Sequence, residues 1–315
     1  MSEGGPARRP ARGAGRWLAW LGGALVVIAA LWTLRGQWRT AAEVAGTLDV
    51  SWGLVFASSA IVLGAYAVLI VTWRACVADA GAPLALGDSA RIWFVSNLAR
   101  YIPGALWQMG ALAVLAKQQG ASASAATSAA LVLTVVNTLC GLAVVLAFGN
   151  TLAAAPVTPW IPVVLGIAGL AALRWLAPPV VKWLAARTGR ELRLPALSAR
   201  MLVAATLGSV VSWIAYGIAF QLFVAATMPT ITLGFAAAIA IYAASYLAGF
   251  LSLGPPAGIG VADGALVWLL TAGNIASPAE AVVISALTRL WRTALEIAPG
   301  LVFFGLQRSR GSRIP

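Results

Sequence analysis

The chain has 315 residues, is 61% hydrophobic and only 10% charged, and has a mean hydropathy of +0.90. These values exclude a soluble globular domain and point to an all-α, polytopic helical integral membrane protein. The net charge of +12 comes from basic residues scattered over tails and loops, so it reads as membrane topology and contact with anionic headgroups, with no nucleic-acid partner. The chain contains no histidine, which removes imidazole catalysis and His-ligated metals. Cys76 and Cys140 lie far apart in apolar surroundings and suggest neither a disulfide framework nor a metal site.

The N-terminal tail, residues 1–16, carries Arg8, Arg9, Arg12 and Arg16 and is expected in the cytosol. A retained first helix should run from Trp17 to Leu34, since no small-residue cleavage site clearly follows it. The next expected span is Trp52 to Val71, which closes on Trp73-Arg74, an aromatic and basic pair of the interfacial kind. From Asp88 to Lys117 two short arms flank Pro103-Gly104. Each arm has roughly 13 residues, too few to cross a ~30 Å hydrocarbon core, so a re-entrant hairpin fits. Proline and glycine should stop the first arm near Tyr101 and let the second start near Ala105.

Residues 118 to 173 carry no charge, and Gly149-Asn150 followed by Pro156, Pro159 and Pro162 divides them into two spans. Arg174 to Arg200 is the strongest cytosolic mark, with six basic residues against Glu191. Met201 to Ala226 should then cross outward. A second hairpin, Leu233 to Leu253 and Ala257 to Thr271, surrounds Gly254-Pro255-Pro256-Ala257-Gly258-Ile259-Gly260. The last helix, about Ala279 to Leu306, returns to a basic cytosolic tail at 307–315. The expected architecture is one domain at 17–306 with about six spans and two opposed Pro/Gly-broken hairpins, the inverted-repeat pattern of many transporters. Eight or ten spans, with one or both hairpins crossing fully, keep the same parity and both termini cytosolic.

Ionisable groups at membrane depth suggest function. Arg100 lies beside the first break, Asp263 follows the second, and Arg289, Arg292 and Glu296 share a face of the last helix at i, i+3 and i+7. The three guanidiniums offer planar forks for phosphate oxygens, and the amides around Gly258 and Gly260 could add donors. Structural alternatives stand beside this reading: an Arg292–Glu296 pair that only fixes packing, Asp263 as a helix cap, and Arg100 snorkelling to the interface. Asn97, Gln108, Asn137 and Gln221 read as interhelical hydrogen bonders. Trp17, Trp52, Trp73 and Trp160 read as belt anchors, with Trp107 beside the Pro-Gly turn an exception.

Two stretches carry a family resemblance: Asn97-Leu98-Ala99-Arg100-Tyr101-Ile102-Pro103-Gly104-Ala105-Leu106-Trp107-Gln108, followed by Gln119-Gly120-Ala121-Ser122, and Leu251-Ser252-Leu253-Gly254-Pro255-Pro256-Ala257-Gly258-Ile259-Gly260-Val261-Ala262-Asp263-Gly264. There the sequence resembles the flippase-like family named after the transmembrane region of lysylphosphatidylglycerol synthase. Members usually carry Pro-Gly-Gly-x-Gly with an Arg-Glu pair soon after; this chain has Pro256-Ala257-Gly258-Ile259-Gly260 and then Ala262-Asp263. The resemblance implies a lipid translocase without the aminoacyltransferase domain of the bifunctional synthases. It would sit in the cell (inner) membrane and move a phospholipid or a polyprenyl-phosphate-linked lipid, beside a possible partner enzyme that makes the lipid. The expected substrate-binding set is Arg100, Tyr101, Pro103, Gly104, Trp107, Gly258, Gly260, Asp263, Arg289, Arg292 and Glu296, with no catalytic residue, cofactor or metal. Two rivals remain: a proton-coupled transporter of a soluble solute using Asp263 or Glu296, and a non-catalytic subunit of a glycosyltransferase or lipid-modifying system.

Overall fold

The computed structural model describes residues 48–101, 107–149, 198–252 and 256–311, together with a few isolated positions. The expected helix at Trp17 to Leu34, the second span of residues 118 to 173, the basic loop before Arg200 and the Pro103-Gly104 break lie outside the described residues, apart from such isolated positions. The described part is helical, with no strands. Its eight helices are α1 (Trp52–Asp79), α2 (Leu86–Leu98), α3 (Trp107–Gln118), α4 (Ala123–Phe148), α5 (Ala199–Thr227), α6 (Phe235–Leu251), α7 (Val261–Ala272) and α8 (Pro278–Gly311). Short 3-10 turns at Ala99–Tyr101 and Pro256–Gly258 occupy the two break regions.

Helices α1, α4 and α5 are long and apolar enough to cross a membrane, and only 28%, 33% and 39% of their most apolar windows are buried within the protein. The rest of each is an apolar surface suited to lipid. Helix α8 has 34 residues, about 51 Å at the helical rise, and turns Arg289, Arg292 and Glu296 toward other elements of the fold. Helices α1 and α5 are antiparallel, because the Ser51 amide donates to the Ala226 carbonyl at 2.9 Å and Ser198 Oγ donates to Asp79 at 2.7 Å. These are the opposite directions that charge counting gives the two spans.

Three helix starts are set by serine side chains. Ser122 Oγ accepts from the Ala125 amide at 3.4 Å and Ser198 Oγ from Met201 at 3.1 Å. Ser277 and Glu280 form a reciprocal pair at α8, with bonds of 2.8 and 3.4 Å; all three satisfy orphan amides of a first turn. Small residues let the helices approach closely. Gly217 of α5 lies so near Ile239 of α6 that a methyl group there would overlap it.

Four features differ from the sequence expectation. Helix α1 continues to Asp79 instead of ending at Val71, because Trp73, Cys76 and Val77 are buried in the core and Gly81, at φ +80°, makes the turn only after them. Trp73 is therefore not a belt anchor: it is 0% exposed and donates to the Ala126 carbonyl at 3.2 Å. The first arm of the second hairpin is shorter than expected, 17 residues from Phe235 to Leu251. Its second arm starts at Val261 rather than Ala257, since Ala257, Gly258 and Gly260 have φ of +52°, +66° and +85° and cannot continue a right-handed helix.

Candidate functional site

The Ala99–Tyr101 turn, which leads toward the first break, lies against the Pro256–Gly258 turn of the second. Around them the helices leave a cavity of about 520 Å³. The local sequence explains how its walls are held. Gln108 Nε2 of α3 donates to Asn97 Oδ1 of α2 at 2.6 Å, tying the two arms of the first broken pair. In the second pair, a Cβ on Gly258 would stand 2.8 Å from the Gly249 backbone and one on Gly249 would stand 2.7 Å from the Ala262 Cβ. Glycine is required at both positions by this contact, and at Gly258 also by its positive φ.

The charged residues that line the cavity are Arg100, Arg292 and Glu296. Glu296 is the hub. Its Oε2 accepts from Tyr101 Oη at 2.5 Å, its Oε1 accepts from Arg100 at 3.4 Å, and Arg292 Nε lies 3.9 Å from Oε1. A second guanidinium nitrogen of Arg100 donates to Tyr246 Oη at 3.4 Å, while Arg292 lies over the Tyr246 ring at 5.3 Å from its centroid. The side chains of Arg100, Arg292 and Glu296 are 19%, 11% and 6% exposed. Burial strengthens these attractions and makes each group dependent on its partners.

Arg289 and Asp263 stand apart from this cluster. Arg289 Nε donates to Asp263 Oδ1 and its terminal nitrogen to Oδ2, both at 2.8 Å, a two-pronged pairing of guanidinium and carboxylate. Arg289 also donates to the carbonyls of Ala257 and Gly258 at 3.3 and 3.4 Å, and Asp263 Oδ2 accepts the Gly260 amide at 2.9 Å. The pair clamps the second break between α7 and α8, and neither residue lines the cavity.

The structure thus brings Arg100, Tyr101, Gly258, Arg292 and Glu296 of the expected set together. It assigns Asp263, Arg289 and Gly260 to the clamp beside them, and it leaves Trp107 53% exposed at the start of α3. Pro103 and Gly104 lie outside the described residues. Among the described residues, no group of three or more His, Cys, Asp or Glu side chains gathers as a metal ligand set would require.

Sequence reasoning named Tyr101 but missed the other tyrosines. The chain has five: Tyr66, Tyr216, Tyr242 and Tyr246 line the cavity, and Tyr101 holds Glu296. The four in the lining join edge-on or tilted, with Tyr66–Tyr216 and Tyr216–Tyr242 centroids both 5.9 Å apart, and Trp213 5.5 Å from Tyr246. Their position was a usable signal. Belt tyrosines sit at span ends, whereas these four fall within helices.

No curated protein matches the chain. The family model described as the lysylphosphatidylglycerol synthase TM region matches residues 19–300, and the chain belongs to that family.

Proposed function

We propose that this protein is a flippase-like transporter, not an enzyme, and that it moves a phospholipid or polyprenyl-phosphate-linked lipid between leaflets of the cell membrane. The observation that carries this reading is the cavity beside the Ala99–Tyr101 and Pro256–Gly258 turns, with Arg100, Arg292 and Glu296 in its wall. Two guanidiniums against one carboxylate leave one net positive charge, suited to a phosphate. The headgroup would pass through this polar space while the acyl chains stay in lipid. Both broken helix pairs would enter as re-entrant hairpins, and both termini would face the cytosol. Family membership supports the lipid-handling class.

A proton relay is less well supported, since both carboxylates named for it are already engaged. Glu296 accepts from Tyr101 and Arg100, and Asp263 is held by Arg289 and the Gly260 amide.

The test is leaflet exchange of headgroup-varied fluorescent lipids in proteoliposomes, with the native protein beside Arg100→Ala and Arg292→Ala. Exchange by the native protein that falls at least tenfold in both variants is expected. Exchange unchanged in folded Arg100→Ala protein, or absent for every lipid in the native protein, would overturn the reading.

A further inference from the structure

The cavity wall has two chemically different parts. Its charged groups come from the Ala99–Tyr101 turn and from α8, which packs on α2, α5 and α7. Its other polar groups are uncharged: besides the four tyrosines they include Ser96, Asn97 and Gln108 from α2 and α3, and Thr134, Asn137 and Thr138 from α4, which packs on α3, α5 and α6. Two groups in the lining are buried without a hydrogen-bond partner among the described residues. These are the acceptor Asn137 Oδ1 and the donor Trp93 Nε1. A buried polar group of this kind costs free energy until something pairs with it. Both atoms are closed off from the open cavity, so a hydroxyl, which both donates and accepts, serves either one once the side chain turns toward it.

Among the described lining residues no carboxylate is free to meet a cationic head. Glu296 is the one acid among the lining residues and already serves Tyr101, Arg100 and Arg292. Asp263 lies outside the lining in the Arg289 clamp. The Tyr246 ring, a possible platform for an ammonium, already carries the Arg292 guanidinium. An amine entering this space would meet net positive charge and no free counter-charge.

Resting on the translocase reading above, we infer that the cavity selects a monoanionic phosphodiester lipid with an uncharged polyol head, and rejects heads that carry an amine. The phosphate pairs with Arg100 and Arg292, and the hydroxyls meet the neutral wall around Asn137 and Trp93. Selection follows from like-charge exclusion and from hydroxyl pairing together.

The experiment measures leaflet exchange in proteoliposomes for phosphatidylglycerol, phosphatidylinositol, phosphatidylethanolamine and lysyl-phosphatidylglycerol. The two polyol lipids are expected to exchange at least tenfold faster than the two amine lipids. Asn137→Asp, which adds a carboxylate to the neutral wall, is expected to shift the ratio of lysyl-phosphatidylglycerol to phosphatidylglycerol at least tenfold toward the amine lipid. Thr134→Asp supplies the same test if Asn137→Asp does not fold. Amine and polyol lipids exchanging at equal rates, or no shift of the ratio in a folded carboxylate variant, would overturn the selectivity while leaving translocation standing. Absence of exchange for all four lipids would overturn both.

Discussion

Arg100 and Glu296 are 196 residues apart in sequence and 3.4 Å apart in the fold, and their contact joins the Ala99–Tyr101 turn to the last helix. Because Glu296 also accepts from Tyr101 and faces Arg292, its removal leaves two buried guanidiniums near each other with no acid between them. Glu296→Ala is expected to destabilise the protein by about 3 kcal/mol. Tyr101→Phe removes one bond to a charged group and should cost about 1.5 kcal/mol. Thermal unfolding in detergent checks the order. Glu296→Ala as mild as Tyr101→Phe would show that the carboxylate is not the hub.

The second break places an alanine where backbone sterics favour glycine. Ala257 has φ +52° and ψ +21°, and Gly258 follows at φ +66°. Ala257→Gly is expected to stabilise by about 0.5 kcal/mol, because relief of the left-handed backbone is partly offset by the freedom glycine gains when unfolded. Gly258→Ala should destabilise by about 2 kcal/mol or more, since it meets both the unfavourable φ and the Gly249 backbone. Melting temperatures that move the same way in both variants would contradict this account of the turn.

The second break was legible in the sequence because glycine acts locally, through an accessible positive φ. The charged residues stood out for a similar reason, as each is costly in an apolar run. Their partners were not legible. The spacing of Arg292 and Glu296 at i, i+4 offered a pair, yet the shorter ionic contact of Glu296 is to Arg100 on a distant segment. Arg289 shares the helical face of Arg292 by spacing, but reaches back to Asp263 because α7 crosses there. The four cavity tyrosines escaped notice because an aromatic residue inside an apolar helix looks like core, although their distance from the span ends set them apart from belt tyrosines.

Trp73 gives a direct test of burial against interfacial anchoring. It is fully buried on α1, donates to Ala126 of α4 and packs beside Trp93, with ring centroids 6.3 Å apart. Trp52, at the start of the same helix, is 66% exposed. Trp73→Ala should cost about 3 kcal/mol through the cavity and the lost contacts, while Trp52→Ala should stay within about 0.5 kcal/mol. Chemical denaturation in detergent, followed by far-UV circular dichroism, separates the two. Equal losses would place Trp73 back at an interface.

Arg289 and Asp263 act as one unit if the clamp is what holds the second break. A lysine at position 289 keeps the charge and loses the planar fork, so it cannot reach both carboxylate oxygens and the Ala257 and Gly258 carbonyls together. Arg289→Lys is therefore expected to lower stability by about 1 kcal/mol or more. In a double-mutant cycle, Arg289→Ala and Asp263→Ala should be non-additive by about 1 to 3 kcal/mol, because each single change leaves the other, partly buried group without its partner. Since neither residue lines the cavity, Arg289→Lys protein that remains folded should keep the lipid preference of the native protein even where its exchange rate falls. Additive effects in the cycle would mean that the two residues stabilise the turn independently. A changed lipid preference in Arg289→Lys would instead put Arg289 in contact with the headgroup.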